Sequence, residues 1–284
     1  MKIIGVMKIS TVIFTKLEEL ENKGLGKLFI KYFLCGLCFY LLTGLLGGLE
    51  TFIDGYFGSI RLNGILSANR FISLFLSAGS IIGIGGSVLL TIKLGLKDKE
   101  KAEEILGNSI SLLIIFSFIL LLIAYIYKDY FFTELICSGD KEITIMATNY
   151  FIARLSGITF IFMAEYLILF ILALGNPIKA LLLKLISFLL KISVLFIYIK
   201  FDLGIIYRAL LFNLSDLIIV FLILNHFTKK ESNVPKLRWN KLKLRKISLD
   251  ILLIGIFPYL FFLSQTFYNI FINCFTNSRA ISEY

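Results

Sequence analysis

The residues that could do chemistry in this chain are few, and most of them interrupt apolar runs. "LETFIDGYFGS" carries Glu50 and Asp54 four residues apart, which sets both carboxylates on one face of a helix. "FIFMAEYLILFILAL" holds Glu165 far from any charged flank. Lys191 and Asp216 each break a long apolar stretch of their own. A carboxylate in such surroundings can bind and release a proton or hold a cation, and a lysine can neutralise it. The other reactive side chains form poorer constellations. Cys35 and Cys38 make a C-x-x-C inside an apolar helix, and His226 is the single histidine. A zinc site is therefore not expected, and no metal or organic cofactor is implied. Cys137 and Cys274 are the other two thiols, and spacing alone does not establish a disulfide between them. No Ser-His-Asp, H-E-x-x-H or P-loop pattern is present, so the chain is not expected to be an enzyme.

The elements that must position these groups are membrane helices. The 284 residues are 58% hydrophobic and 17% charged, with a mean hydropathy of +0.89, well outside the balance of a soluble domain. A spanning helix needs about 20 mostly apolar residues. Seven segments qualify: 29–53, 66–92, 109–128, 149–174, 178–200, 203–226 and 249–273. The expected fold is an all-α, polytopic transmembrane bundle. Residues 1–28 read as a cytoplasmic tail, 29–226 as a first bundle of six helices, 227–248 as a basic linker, and 249–284 as the first helix of a second bundle.

The net charge of +10 is unevenly spread. With the N-terminus in the cytoplasm, Lys2 to Lys31, Lys93 to Lys101, Lys179 and the basic residues of 227–248 all lie inside. Arg61, Lys128, Lys141, Lys200 and Arg279 fall in outer loops. This positive-inside asymmetry predicts a multi-pass protein of the cell (inner) membrane with a cytoplasmic N-terminus. It assigns the basic linker to anionic lipid rather than to nucleic acid.

"GIGGSVLLTIKLGLKDKEKAEEILGNS" tests the same reading. Gly83, Gly85 and Gly86 lie in the middle of an apolar run and lack the third glycine of a dinucleotide fingerprint. Small residues there allow close helix approach. The charges that follow mark a cytoplasmic elbow, with Lys99 and Glu103 spaced as an i,i+4 pair.

Depth pairs two of the buried charges. Lys191 lies about 13 Å from the outer end of its span and Asp216 about 20 Å from the same side, at 1.5 Å per residue. A lysine side chain bridges that difference, so a Lys191–Asp216 pair is expected, more readily as a structural neutralising pair than as a coupling site. Asp54 is either an ion-binding carboxylate or the cap of its helix end, with Glu50 sharing its site or facing water. Glu165 either lines a cavity or makes a buried structural hydrogen bond.

The same passage, together with "FIDGYFGS", "LALGNPIKA" and "GIFPYLFFLSQTFYNIFIN", resembles the multidrug and toxic compound extrusion (MATE) family over about residues 20–284. The resemblance implies a secondary antiporter working by alternating access. It would export lipophilic or cationic compounds in exchange for H⁺ or Na⁺, with membrane lipids as its surroundings. It also implies that Asp54 takes part in ion binding; Glu50, Glu165, Lys191 and Asp216 are further cation- or substrate-binding candidates by their place inside the spans. The chain departs from the family pattern at Phe39, where a proline is common. It departs again at Lys191 and Leu195, where an asparagine and an aspartate are common.

An internal repeat agrees with a two-bundle plan. Aligning Gly36 with Gly255 places Glu50 on Asn269 and Asp54 on Asn273, six spans apart and hence in the same direction through the membrane. On that plan the second bundle is supplied by a missing C-terminal half. The alternatives are a lipid-linked oligosaccharide flippase, which Arg70, Arg154, Lys184 and Lys191 would suit, a membrane transferase, and an inactive truncated fragment.

Overall fold

A computed structural model describes residues 24–134, 141–228 and 247–282. All regular structure among them is helical. In chain order the helices are α1 (Leu25–Tyr56), α2 (Ser59–Gly95), α3 (Lys99–Glu134), α4 (Lys141–Leu155), α5 (Ile158–Ala173), α6 (Pro177–Lys200), α7 (Ile205–Thr228) and α8 (Ile247–Ser282). Residues 1–23 of the expected tail, most of the basic linker, and Cys137 lie outside the described residues.

Five helices are individually long and apolar enough to span a bilayer, and α4 with α5 makes a sixth candidate. The seventh expected span falls on α8, a helix with Pro258 in its interior. Three spans differ from the sequence expectation. Helices α2 and α3 run well beyond their apolar centres, with 37 and 36 residues. The expected single span 149–174 is two helices bent by 61° at Ser156–Gly157.

That bend has a local cause. Asn213 of α7 donates its Nδ2 to the Ala153 carbonyl at 2.9 Å and to Ser156 Oγ at 3.2 Å. The Gly157 N–H bonds instead to the Arg154 carbonyl at 3.2 Å. A side chain from another helix thus takes over a carbonyl that would have continued α4. A Cβ at Gly157 would overlap the Asn213 side chain, so glycine is what lets the two come together.

Helix α2 is the centre of the bundle, packing against α8, α4, α3, α5 and α1. Its glycines work as the sequence implies. A Cβ on Gly83 would overlap Tyr166 of α5, and one on Gly85 would overlap the Ile251 carbonyl of α8. Gly255 faces back in the same way onto the Ile81 carbonyl, so α2 and α8 cross backbone to backbone. Tyr166 also donates its hydroxyl to the Leu76 carbonyl, tying α5 to α2.

Helix ends follow ordinary chemistry. Gly175, at φ 83°, ends α5, and Pro177 opens α6 in the first-turn position that needs no N–H. At the elbow before α3, Asp98 accepts from the Lys101 backbone N–H at 3.1 Å and pairs with its ammonium at 3.1 Å. Glu103, spaced from Lys99 as an i,i+4 pair, is buried. His226, near the end of α7, is also buried, with Nδ1 2.9 Å from Lys179 Nζ.

Candidate functional site

The interior charges form three groups strung through the bundle. Each is built by helices that place a polar residue on an otherwise apolar buried stripe. On α6 the buried stripe runs through Lys184, Ser187, Lys191, Leu195 and Tyr198. On α7 it runs through Arg208, Phe212 and Asp216, one turn apart each.

The first group joins α1 to α7. Arg208 is fully buried and pairs with Asp54, itself 2% exposed, and with Glu50 at 3.1 Å. Glu50 and Asp54 thus share one guanidinium, as their spacing on a single face allows. Rings of Phe212, Tyr198 and Tyr150 surround the guanidinium, with centroids 5.2, 5.4 and 5.9 Å away. Beyond them Arg61 donates to the Tyr198 hydroxyl at 3.1 Å, and lies 3.8 Å from Asp202. Arg61 sits in the first turn of α2 rather than in a loop.

The second group joins α4, α6 and α7. Lys191 Nζ lies 3.1 Å from Asp216 Oδ1, so the structure forms the pair that depth suggests. It also adds a partner. Arg154 of α4 approaches the other carboxylate oxygen at 2.8 Å and donates its second nitrogen to Asn213 Oδ1. Asp216 therefore faces two cations, directly beside the bend.

The third group joins α5 to α6. Lys184 Nζ donates to both Glu165 oxygens, at 3.1 and 2.9 Å, and lies 4.8 Å from the centre of the Phe39 ring of α1. Phe39, which stands where the family pattern often has proline, belongs to a helix that runs unbroken from Leu25 to Tyr56.

Together these groups hold four carboxylates (Glu50, Asp54, Glu165, Asp216) and four cations (Arg154, Lys184, Lys191, Arg208). Charges in a membrane interior are costly unless paired, and this set balances when all are ionised. All five residues singled out from the sequence lie in it, but they are not brought to one place. Glu50 and Asp54 share Arg208, Lys191 and Asp216 share a site with Arg154, and Glu165 stands apart with Lys184.

Arg208 was missed by sequence reasoning. The depth argument that pairs Lys191 with Asp216 would have found it, since it lies about 7 Å from the start of its span, at 1.5 Å per residue, near the end where Asp54 sits. Among the described residues, no group of three or more histidine, cysteine or carboxylate side chains assembles that could hold a metal ion.

Two carboxylates on one guanidinium admit another cation only in competition with Arg208. A proton on Asp54 removes its attraction for Arg208, and a metal cation at the carboxylates would compete with the guanidinium. Either event alters what holds α1 to α7.

Comparison with known proteins gives a family. The chain is similar to an outward-facing multidrug resistance MATE family transporter of the MOP superfamily, with a TM-score of 0.79 and 19% identity over 87% of this chain and 55% of that one. It is equally similar to a MOP superfamily transporter from Pyrococcus furiosus described as having a binding pocket of reversed polarity, again with a TM-score of 0.79, 19% identity, and 87% and 55% coverage. An inward-facing MATE family transporter gives a TM-score of 0.74 and 20% identity over 81% of this chain and 52% of that one. The chain thus spans about half the length of the solved transporters it matches. A search of the curated proteins found no match. The MatE family model matches residues 25–197, more than half of the sequence, and covers the helices that carry Glu50, Asp54, Arg154, Glu165, Lys184 and Lys191. The chain belongs to the MatE family of membrane transporters.

Proposed function

We propose that this chain is the first bundle, with the leading helix of the second, of a secondary active antiporter that exports lipophilic or cationic compounds in exchange for H⁺ or Na⁺. The observation that carries this reading is the buried Arg208 shared by Glu50 and Asp54, which ties the α1 carboxylates to α7. Coupling needs a group whose occupancy by an ion changes the balance between two conformations, and it does so only through different affinity in each. Protonating Asp54 weakens one half of the tie. It leaves Arg208 with Glu50 alone, so α1 is held less firmly in the proton-bound state. In the expected orientation these carboxylates lie near the outer face of the cell membrane, where protons enter. The second bundle, on another segment or chain, completes the transport cavity.

The flippase alternative calls for cations free to line a wide cavity. Arg154, Lys184 and Lys191 are instead engaged by carboxylates, which favours the efflux reading.

The test is ethidium movement in proteoliposomes under an imposed pH gradient. This chain, reconstituted together with the segment or chain that carries the second bundle, is expected to move ethidium in the direction opposite to proton flow, and Asp54→Asn to lose that dependence by at least about tenfold, the size of one lost charge interaction of roughly 1.4 kcal/mol. Equal gradient dependence in wild type and Asp54→Asn would sink the proposal.

A further inference from the structure

The group formed by Glu50, Asp54 and Arg208 is closed at one end and open on one side. Asp54 and Arg208 are enclosed, whereas the Glu50 side chain is 19% exposed. Toward the α1–α2 joint the closure is aromatic. The buried Tyr198 ring lies against Arg208, and its hydroxyl accepts from Arg61. Phe57, in the joint itself, packs edge-on against Tyr198 with centroids 5.0 Å apart, and Arg61 covers the Phe57 ring at 4.6 Å. Only past Arg61 does a carboxylate reappear, on the exposed Asp202. Phenols and guanidiniums do not exchange protons near neutral pH as carboxylates do, so this layer offers no relay to Asp54.

The other approach is along α1. Gly47 lies one turn before Glu50, and among the described residues nothing stands within 4 Å of where its Cβ would be. Glu50 is therefore the member of the group that the bundle leaves within reach of water. Arg208 of α7, Arg154 of α4 and Lys191 of α6 are the cations that act on it, with Asp54 as the neighbouring anion and Tyr150 of α4 beside the guanidinium. Glu50 and Asp54 hold the two terminal nitrogens of Arg208. Residues four apart on a helix have Cβ atoms about 5–6 Å apart, a gap that two carboxyl groups span directly or through one water.

We propose that Glu50 is the proton port of this site. A proton arriving along the uncovered side of α1 binds Glu50 and is handed to Asp54, while the layer of Tyr198, Phe57 and Arg61 keeps out protons arriving from the end of the bundle. In the handover a Glu50 Oε–H bond breaks and an Asp54 Oδ–H bond forms. Glu50 regains its charge beside Arg208 and is not where the proton rests. The port rests on the reading of Asp54 as the coupling carboxylate.

The experiment follows the proton to Asp54. The full chain in lipid nanodiscs is taken through a rapid drop in pH, and time-resolved infrared spectra record the protonated-carboxyl band that Asp54→Asn lacks. Each variant is compared at the pH where its own band is half formed, because removing a neighbouring charge shifts the affinity of Asp54. Glu50→Gln is expected to slow the band by about tenfold or more. Formate, a small weak acid that can carry protons to the site, is expected to restore the rate in Glu50→Gln and to leave the wild type unchanged. Adding Tyr198→Ala to Glu50→Gln opens the aromatic layer and is expected to restore the rate without formate.

An unchanged rate in Glu50→Gln would overturn the port. So would a slowed rate that formate does not restore, which marks a structural effect. A double variant that stays monodisperse and no faster than Glu50→Gln would remove the closing layer and the proposal with it. The band itself tests the earlier reading. Its absence from the wild type at every pH would remove Asp54 as the coupling group and this port together, whereas a normal band with an unchanged rate leaves Asp54 in place and removes only Glu50.

Discussion

Helices α1 and α2 are neighbours in sequence and similar in length, yet they are held by different forces. In its apolar window α1 is 6% buried, and α2 is 61% buried. Helix α2 is fixed by contact, with glycines that let α5 and α8 approach until backbones and rings touch. Helix α1 presents much of its apolar surface outward, and Gly44, Gly47 and Gly48 have nothing within 4 Å of where a Cβ would sit. What holds α1 is packing along α6 and a short contact with α2, together with charge: Glu50 and Asp54 on Arg208 at one end, and the Phe39 ring over Lys184 nearer the other. Within this bundle the difference separates a helix fixed by close contact from one held by packing along α6 and by charge. Tight small-residue packing has one geometry, whereas an ion pair can be switched by a proton.

The largest effect should come from breaking the scaffold. Gly85→Leu forces a branched side chain into the backbone of α8, and no rotamer relieves an overlap with a carbonyl. The expected outcome is loss of the monodisperse species on size-exclusion in detergent. Breaking the charge tie should cost less. Arg208→Leu leaves buried Asp54 and half-buried Glu50 without their shared cation, an expected loss of about 3–5 kcal/mol, seen as a lowered midpoint in denaturant titration with the protein still monodisperse. If the two variants behave alike, the distinction between the helices fails.

Smaller changes sharpen the comparison. Gly47→Ala adds a methyl into open space on α1 and should raise stability by about 0.5–1 kcal/mol through helix propensity alone. The same change at Gly85 should be destabilising, and a matched pair of melting curves checks the sign. The smallest effect lies at the elbow. The Lys101 backbone N–H, then its ammonium, hold the Asp98 carboxyl below the usual carboxylate range. Its contribution is complete above that usual range and is lost as pH falls through the lowered value. Since Asp98 is partly exposed and screened, Asp98→Asn should lower the melting temperature by no more than about 1 °C at pH 7, and by less as pH falls through the lowered value.

Much of this arrangement was legible in the sequence. Apolar length marks the spans because a bilayer demands it, and the central glycines of α2 stand out because an apolar run has no other use for them. Lys191 and Asp216 were matched by depth, since each had to find a partner inside the membrane. What stayed hidden is set by other helices. The break at Ser156–Gly157 exists because Asn213 reaches across from α7 for the Ala153 carbonyl, which no local pattern in α4 announces. Arg208 lies near a span end, where a cation reads as an anchor to the headgroups, yet the surrounding rings and the two α1 carboxylates enclose it. Glu103 follows a run of surface charges and is nevertheless turned inward.

The connection between α1 and α2 is Phe57 and Gly58 alone, and Gly58 adopts φ 110°, a conformation that side-chain-bearing residues rarely take. Any tilt of α1 relative to α2 would turn about this short joint. Asp54 sits four residues from it, while Phe39, whose ring faces Lys184, lies farther along the lever. For a helix of 32 residues, roughly 48 Å long, a tilt of about 10° sweeps the distant tip through on the order of 8 Å. At Asp54, about 6 Å from the pivot, the same tilt would be a shift of only about 1 Å, so a small displacement there would become a large one at the far end of the helix.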